Sequence, residues 1–424
     1  MTLPGKLDSR SVDPARPVGD EVLVGDRFEV EVGAVAHGGH CVARAPDGRV
    51  VFVRHALPGE RVTVSVTEVL PGYLRADAVE ILSASPDRVE PPCPYATPAK
   101  APHVGRHTPV AHCGGCDFQH VAPAAQRELK AAVVREQLLR LGGLSPAEVD
   151  ALGVRVEELP GGPLGWRTRV RYTVDASGRA GLLAHRSNEV VPVDRCLIAH
   201  PAVQDAPVTG QPWPTDDRVE AIAGSGGDVT LVGSTSGVVS GPAEVTERAV
   251  GRRWRLGVQA FWQVHPAAPD TLVSAVLDLV QPVAGERAWD LYGGAGLFAA
   301  ALAPRVAEVT LVESDREAIT AARSSLADLS NVHIVRSTVE RFRPAGDPDV
   351  VVLDPPRTGA GAAAVRLVAG ASPRAVAYVA CDPAAFARDV ATFRARGFRL
   401  AALRAFDAFP MTHHVECVGL LLPA

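Results

Sequence analysis

The chain has 424 residues, with 43 basic and 48 acidic side chains, a net charge of −5, 47% hydrophobic residues and 21% charged residues. That length is too great for one ordinary domain, and that balance supplies large apolar cores, which excludes a disordered or fibrous chain. The negative net charge excludes a surface that is basic all over, while leaving room for local basic patches that hold nucleic acid.

Residues 1–20 are polar, lack the apolar segment of an export signal and read as a mobile tail. Residues 21–84 alternate Val, Phe and Leu with polar residues and are punctuated by Gly-Asp, Asp-Gly and Pro-Gly. That period of two predicts about five short strands in a small closed barrel of the oligonucleotide-binding type. Residues 85–120 are rich in Pro, Cys and His, with little periodicity. "PAAQRELKAAVVREQLLRL" (123–141) puts Leu129, Val133, Leu138 and Leu141 near one face and predicts a helix.

Residues 152–258 look mixed, with β-like runs such as "RTRVRYTVD". Arg167, Arg169, Arg171, Arg179 and Arg186 stand there against one acid, Asp175, and "GRRWR" (251–255) adds a second basic cluster. These are either solvated faces or parts of an RNA-binding surface. Residues 85–258 together read as a mixed α+β central domain. From about 270 onward, helical and strand patterns alternate, which predicts a doubly wound, Rossmann-like parallel sheet in an α/β domain spanning 259–424. No run of 18 apolar residues occurs, so no membrane span is expected. Seven cysteines without an export signal point to the cytoplasm, and to thiols or metal ligands rather than disulfides.

Four short motifs carry chemistry. "DLYGGAGLF" (290–298) reads as strand, glycine-rich turn and helix, with Gly294 and Gly296 letting the backbone approach a ligand. Glu313 ends the next strand, where an acid reaches a ribose. Any Rossmann-type nucleotide site fits these two features. "VVVLDPPRTGAG" (350–361) sets Asp354 at a strand end before two prolines that hold the loop rigid. Cys381 ends the run "VAYVAC", as a nucleophile or as a small residue filling a strand end. Glu416 is embedded in the apolar final strand, where a carboxylate is costly unless it is paired or functional. Desolvation there would raise its pKa and suit it to proton transfer.

In this order, the glycine-rich turn, D-P-P-R, A-C-D-P and H-H-V-E resemble the RNA uracil-5-methyltransferases, which form 5-methyluridine. Residues 21–84 resemble the TRAM domain of that family, and "QAFWQVHP" (259–266) resembles its F-x-Q-V-N segment. The resemblance implies Cys381 as nucleophile and Glu416 as the base that takes the C5 proton. It implies Gln263, Tyr292, Gly294, Gly296, Glu313 and Asp354 as the S-adenosylmethionine site. It also implies that Cys93, Cys113, Cys116 and Cys196 form a four-cysteine iron–sulfur set. Four thiolates suit a [4Fe–4S] cluster or zinc, or the site has decayed into free thiols. The chain departs from the family pattern at Gly293, where Cys is usual, at His265 and Asp382, where Asn is usual, and near Leu297 and Thr338.

The implied chemistry is covalent. Thiolate addition at C6 makes C5 nucleophilic, and the unstacked uridine is then methylated and released. The expected partner is ribosomal or transfer RNA, and the expected state is a monomer. Two other classes compete: an NAD-dependent Rossmann oxidoreductase and a catalytically silent RNA-binding protein. The first has no use for D-P-P-R, Cys381 or Glu416.

Overall fold

A computed structural model of the chain describes residues 22–96 and 112–424; the expected tail at 1–20 lies outside them. The chain divides into two compact units, one of Met1–Ala34 with His40–Ser85 and one of Val35–Gly39 with Pro86–Ala424.

The first unit is five-stranded. Arg27–Glu31 pairs with Arg61–Leu70, then follow Tyr73–Ser83, Val50–Arg54 and Cys41–Arg44 in that spatial order. Beyond the first strand, Gly33 N donates to Val42 O at 2.7 Å and Val42 N donates to Ala34 O at 2.9 Å, which stitches the two ends of the sheet together. A Cβ on Gly33 would sit 2.9 Å from that carbonyl, so the closure needs glycine. Val62, Val64 and Val66 alternate into the interior, as the period of two predicts. Cys41 is buried there as a plain core residue.

In the second unit, an antiparallel sheet runs in the order Gly237–Ser240, Val229–Gly233, Arg218–Ala223, Arg169–Val174, Ala180–Leu183, Val190–Val191. A hairpin of Glu244–Ala249 and Arg252–Gly257 follows it. The larger sheet has eight strands in the order Val332–Arg336, Glu308–Glu313, Arg287–Leu291, Val350–Leu353, Ala375–Ala380, Glu416–Pro423, Phe398–Asp407, Val156–Glu158. Its first five strands are parallel, Glu416–Pro423 is antiparallel to both its neighbours, and helices connect the strands, so the Rossmann-like fold is present. Val350–Leu353 and Ala375–Ala380 are buried along their whole length, as strands covered on both faces must be.

The predicted helix is present at Pro123–Arg140, but it packs away from the central sheet. Its Ala131, Val134 and Leu138 join the core formed by Trp289, Val351 and Tyr378, and Val156–Glu158 becomes the last strand of the larger sheet. Two polar residues explain the anchoring. Gln126 and Lys130 are both buried, and Lys130 Nζ lies 2.5 Å from Asp407 Oδ1 and 3.0 Å from Phe409 O. Burial pushes the Lys130 ammonium down from its ordinary range, and Asp407 pulls it back.

Removing one partner of such a pair leaves a buried charge uncompensated, at a cost of about 3–5 kcal/mol. Asp407→Ala is therefore expected to lower the stability of the second unit by that order, read by urea denaturation. A loss near zero would show that Lys130 finds another partner.

Candidate active site

The parallel strands deliver their functional residues at their carboxyl ends, where open α/β sheets bind ligands. After Arg287–Leu291 the chain turns sharply, with Tyr292 at φ 60° and Gly294 at φ 53°. Gly296, at φ 87°, caps the helix Leu297–Leu302. A Cβ on Gly296 would meet Leu326 Cδ1 at 2.5 Å, so this close packing needs glycine. At Gly293, where the family pattern has Cys, a Cβ would fall 2.7 Å from Leu311 Cγ. Glycine there matches the leucine behind it. Glu313 Oε2 accepts from Gly294 N at 3.0 Å, and Oε1 accepts from Asp315 N at 2.7 Å, so this acid is fixed beside the turn.

Asp290 belongs to the same turn and was not singled out in the sequence. It is fully buried; Oδ2 accepts from Ala299 N at 2.8 Å, and Oδ1 has no partner. Burial pushes its carboxyl up to about 8, with the negative charges of Asp354 and Glu313 adding to the effect. Burial likewise pushes Asp354 up to about 7. Asp290, Glu313 and Asp354 thus put three carboxyl groups around the glycine-rich turn. They suit a nucleoside that carries cationic groups. Asp290 Oδ1 offers such a ligand a buried acceptor.

The D-P-P-R loop is held from below. Ala360 N donates to Asp389 Oδ2 at 2.7 Å and Tyr378 OH donates to the same oxygen at 2.6 Å. Asp389 is thus a second residue that the sequence did not single out. Gln263 comes from outside the sheet, half-buried on the segment before the helix Ala268–Val280. Its neighbour Trp262 packs on Trp254 at 5.1 Å, and Trp254 Nε1 donates to Ala295 O of the glycine-rich turn at 3.0 Å. His265, at the usual Asn position, is buried against Trp166 and held neutral, its pKa pushed down to about 4 by burial.

The thiol and the final-strand acid meet through strand register. Ala380 pairs with Cys417 across the antiparallel ladder, so continuing by one residue sets Cys381 opposite Glu416 and on the same face. Cys381 immediately precedes Asp382, whose Oδ1 caps the helix Pro383–Arg394 by accepting from Ala385 N at 2.7 Å. Burial pushes the Cys381 thiol up to about 12, with Glu416 adding to the effect and Arg357 opposing it. Burial holds Glu416 well above the usual carboxylate range, with Asp354 adding to the effect. Cys417 is buried on the opposite face as a core residue.

Cys93, Cys113, Cys116 and Cys196 all line one cavity of about 310 Å³, away from this site. Among the described residues, no three His, Cys, Asp or Glu side chains close on a single point as one metal ion requires. The cavity is also lined by Arg167, Arg171, Arg186 and Arg195. Burial raises all four thiols, Cys113 to about 11, and the charge of Cys196 raises the other three further. Gly114 is pinned, because a Cβ there would lie 2.6 Å from the backbone of His185. Among the described residues, no helix is long and apolar enough to cross a membrane.

Comparisons with known proteins agree with this architecture. The TRAM domain matches residues 21–79, and the tRNA (Uracil-5-)-methyltransferase family matches residues 238–424. An uncharacterized RNA methyltransferase of Streptomyces avermitilis is 47% identical over 441 residues, covering 95% of this chain and 99% of its own. One from Streptomyces coelicolor is 46% identical and covers 99% and 98%. Among solved structures, the Pyrococcus abyssi tRNA (uracil-54, C5)-methyltransferase in complex with S-adenosyl-L-homocysteine shares the fold, with a TM-score of 0.68 at 21% identity, covering 92% of this chain and 99% of its own. On this similarity and its motifs, the chain belongs to the family of S-adenosylmethionine-dependent RNA uracil-5-methyltransferases that carry a TRAM domain.

Proposed function

We propose that this enzyme methylates C5 of a uridine in structured ribosomal or transfer RNA, with Cys381 as nucleophile and Glu416 as base. The observation that carries the reading is the register that sets Cys381 opposite Glu416, with the charge of Asp354 felt by both. S-adenosylmethionine, when bound, would supply an electrophilic methyl group to C5, its S–CH3 bond breaking so that S-adenosylhomocysteine leaves. Gly294, Gly296, Glu313 and Asp354, with Tyr292, Gln263 and Asp290, form its site. Cys381 adds to C6 of the unstacked base, and the ring becomes an enolate whose C5 is electron-rich. After C5 is methylated, Glu416 takes the C5 proton, the C5–C6 double bond re-forms, and the thiolate leaves.

The barrel and the arginines of the central sheet hold the RNA backbone, which makes binding salt-dependent. We assign residues 21–84 to the TRAM barrel, 85–258 to the central domain and 259–424 to the methyltransferase domain, with 123–158 packed on the last of these. Cys93, Cys113, Cys116 and Cys196 would hold a [4Fe–4S] cluster. A cluster would need more room between its four thiolates than a single zinc ion, and a shared cavity supports that reading. Its positive irons would offset the repulsion among the buried thiolates. The reading places a monomeric enzyme in the cytoplasm.

Labelled RNA and methyl-tritiated S-adenosylmethionine, run on a denaturing gel, test the chemistry. Cys381→Ala is expected to abolish both methyl transfer and covalent adduct. Glu416→Gln is expected to accumulate a methylated protein–RNA adduct, because thiol addition survives while C5 deprotonation stalls. Normal turnover in either variant sinks the assignment of that residue.

The raised pKa of Cys381 makes a separate prediction. In the free enzyme the thiol stays neutral until the pH nears 12, so its thiolate fraction grows about tenfold per pH unit through the usual cysteine range. Timed iodoacetamide labelling of the Cys381 peptide should therefore keep accelerating to pH 10, whereas a plateau near the ordinary cysteine pKa of about 8.5 would contradict it.

Protein purified without oxygen is expected to be brown and to contain iron, and simultaneous Ser replacement of Cys113 and Cys116 should remove both. A colourless anaerobic preparation free of iron would overturn the cluster assignment.

A further inference from the structure

Residues 408–415 join the last two strands and lead straight into Glu416. The sheet that carries Cys381 does not hold their backbone. Residues just after Cys116 do. Asp117 N and Phe118 N both donate to Met411 O, at 3.0 and 2.9 Å, and Met411 itself sits at φ 67°, a conformation a side chain adopts only when its surroundings impose it. Asp117 Oδ2 accepts from His413 N at 3.1 Å and lies 2.6 Å from His413 Nδ1. The fully buried Gln126 closes the unit, with Oε1 accepting from Met411 N at 2.9 Å and Nε2 donating to Phe118 O at 3.1 Å.

We propose that Asp117 is a positioning residue for the methyl-transfer reaction: it clamps His413 and so fixes where the chain enters the last strand and where the Glu416 carboxyl points. This rests on the proposed role of Glu416. The contact joins residues 296 positions apart, from the segment that follows the CGGC motif to the base's own loop. A buried base three residues from the clamp has no freedom to correct a shifted entry. Misplacement by about 1 Å can cost a reaction step up to about a hundredfold. The step affected is proton removal, since Cys381 and the glycine-rich turn are held by other elements.

The test uses the full chain, with labelled RNA and methyl-tritiated S-adenosylmethionine. Asp117→Ala is expected to slow turnover about ten- to a hundredfold, and His413→Ala, which keeps the backbone bond to Asp117, by a smaller but measurable factor; both accumulate methylated adduct, with the dissociation constants for RNA and S-adenosylmethionine unchanged. The double variant should be no slower than Asp117→Ala, because that change already removes both the backbone bond from His413 N and the ring bond from Nδ1. Asp117→Asn keeps an oxygen to accept from His413 N and should recover most of the rate. If Asp117→Ala loses iron or folds poorly, His413→Ala, which is remote in sequence from the cysteines, decides. Normal turnover in His413→Ala, or slow turnover with no adduct, overturns the proposal. If the wild type forms neither 5-methyluridine nor adduct, the underlying reading fails. If it forms both while the variants accumulate nothing, only the role of Asp117 fails.

Discussion

In the ladder between Ala375–Ala380 and Glu416–Pro423, Ala380 faces Cys417, and everything chemical in the second unit depends on that pairing. A slip of one residue would turn Glu416 to the other face of the sheet and bring Cys417 toward the site in its place. Several features oppose the slip. Both strands are buried on both faces, so a shift would drive each side chain into a space packed for its neighbour. The paired strand Phe398–Asp407 holds Phe406 against Glu416 in its own register, with a bulge between Leu400 and Ala402 that marks a fixed point. Beneath it, Gly419 gives way to Phe386: a Cβ at 419 would meet the ring at 2.6 Å.

The same burial that fixes the register sets the electrostatics. Cys381, Glu416, Asp354 and Asp290 all have raised pKa values, chiefly by desolvation. The resting site therefore stores its acids and thiol largely neutral, and a bound cation lowers the cost of ionising them. An apolar floor and a cationic ligand then act in opposite directions on one set of groups. Structural ion pairs elsewhere in the unit do not share this character. The half-buried carboxyl groups of the Arg404–Glu157 and Arg374–Glu286 pairs are lowered instead.

Much of this was legible in the sequence. The period of two gave away the barrel, and uninterrupted apolar runs ending at Asp354 and Cys381 marked buried parallel strands. The motifs at those strand ends picked out residues that the fold gathers at the carboxyl end of one sheet. Other parts were not legible, for physical reasons. Lys130, Gln126 and Asp117 look like solvent-facing polar residues, because their partners, Asp407, Met411 and His413, lie 277 to 296 residues away. Asp290 sits within the glycine-rich motif, but its missing partner is visible only once the surrounding atoms exclude water. The helix Pro123–Arg140 was found by its period, yet the surface it covers depends on a lysine that its pattern assigns to solvent. Asp389 caps nothing in its own helix; its role appears only when the loop at Ala360 folds onto it.

The short strand Val156–Glu158 completes the larger sheet beside Phe398–Asp407. Its order in the chain has a consequence for synthesis. The barrel's strands are complete once residue 85 is made, and that unit can fold as soon as it clears the ribosome. The strand Val156–Glu158 waits for Ala405 and Asp407, almost 250 residues downstream, and Lys130 of the helix Pro123–Arg140 waits for Asp407, 277 residues downstream. At about 5–20 residues per second, that wait lasts tens of seconds. During it, Lys130 remains without its acid. The last strands to emerge are thus the ones that supply the lysine's acid, complete the sheet and carry Glu416. A chain cut short by even its final twenty residues would lose all three at once.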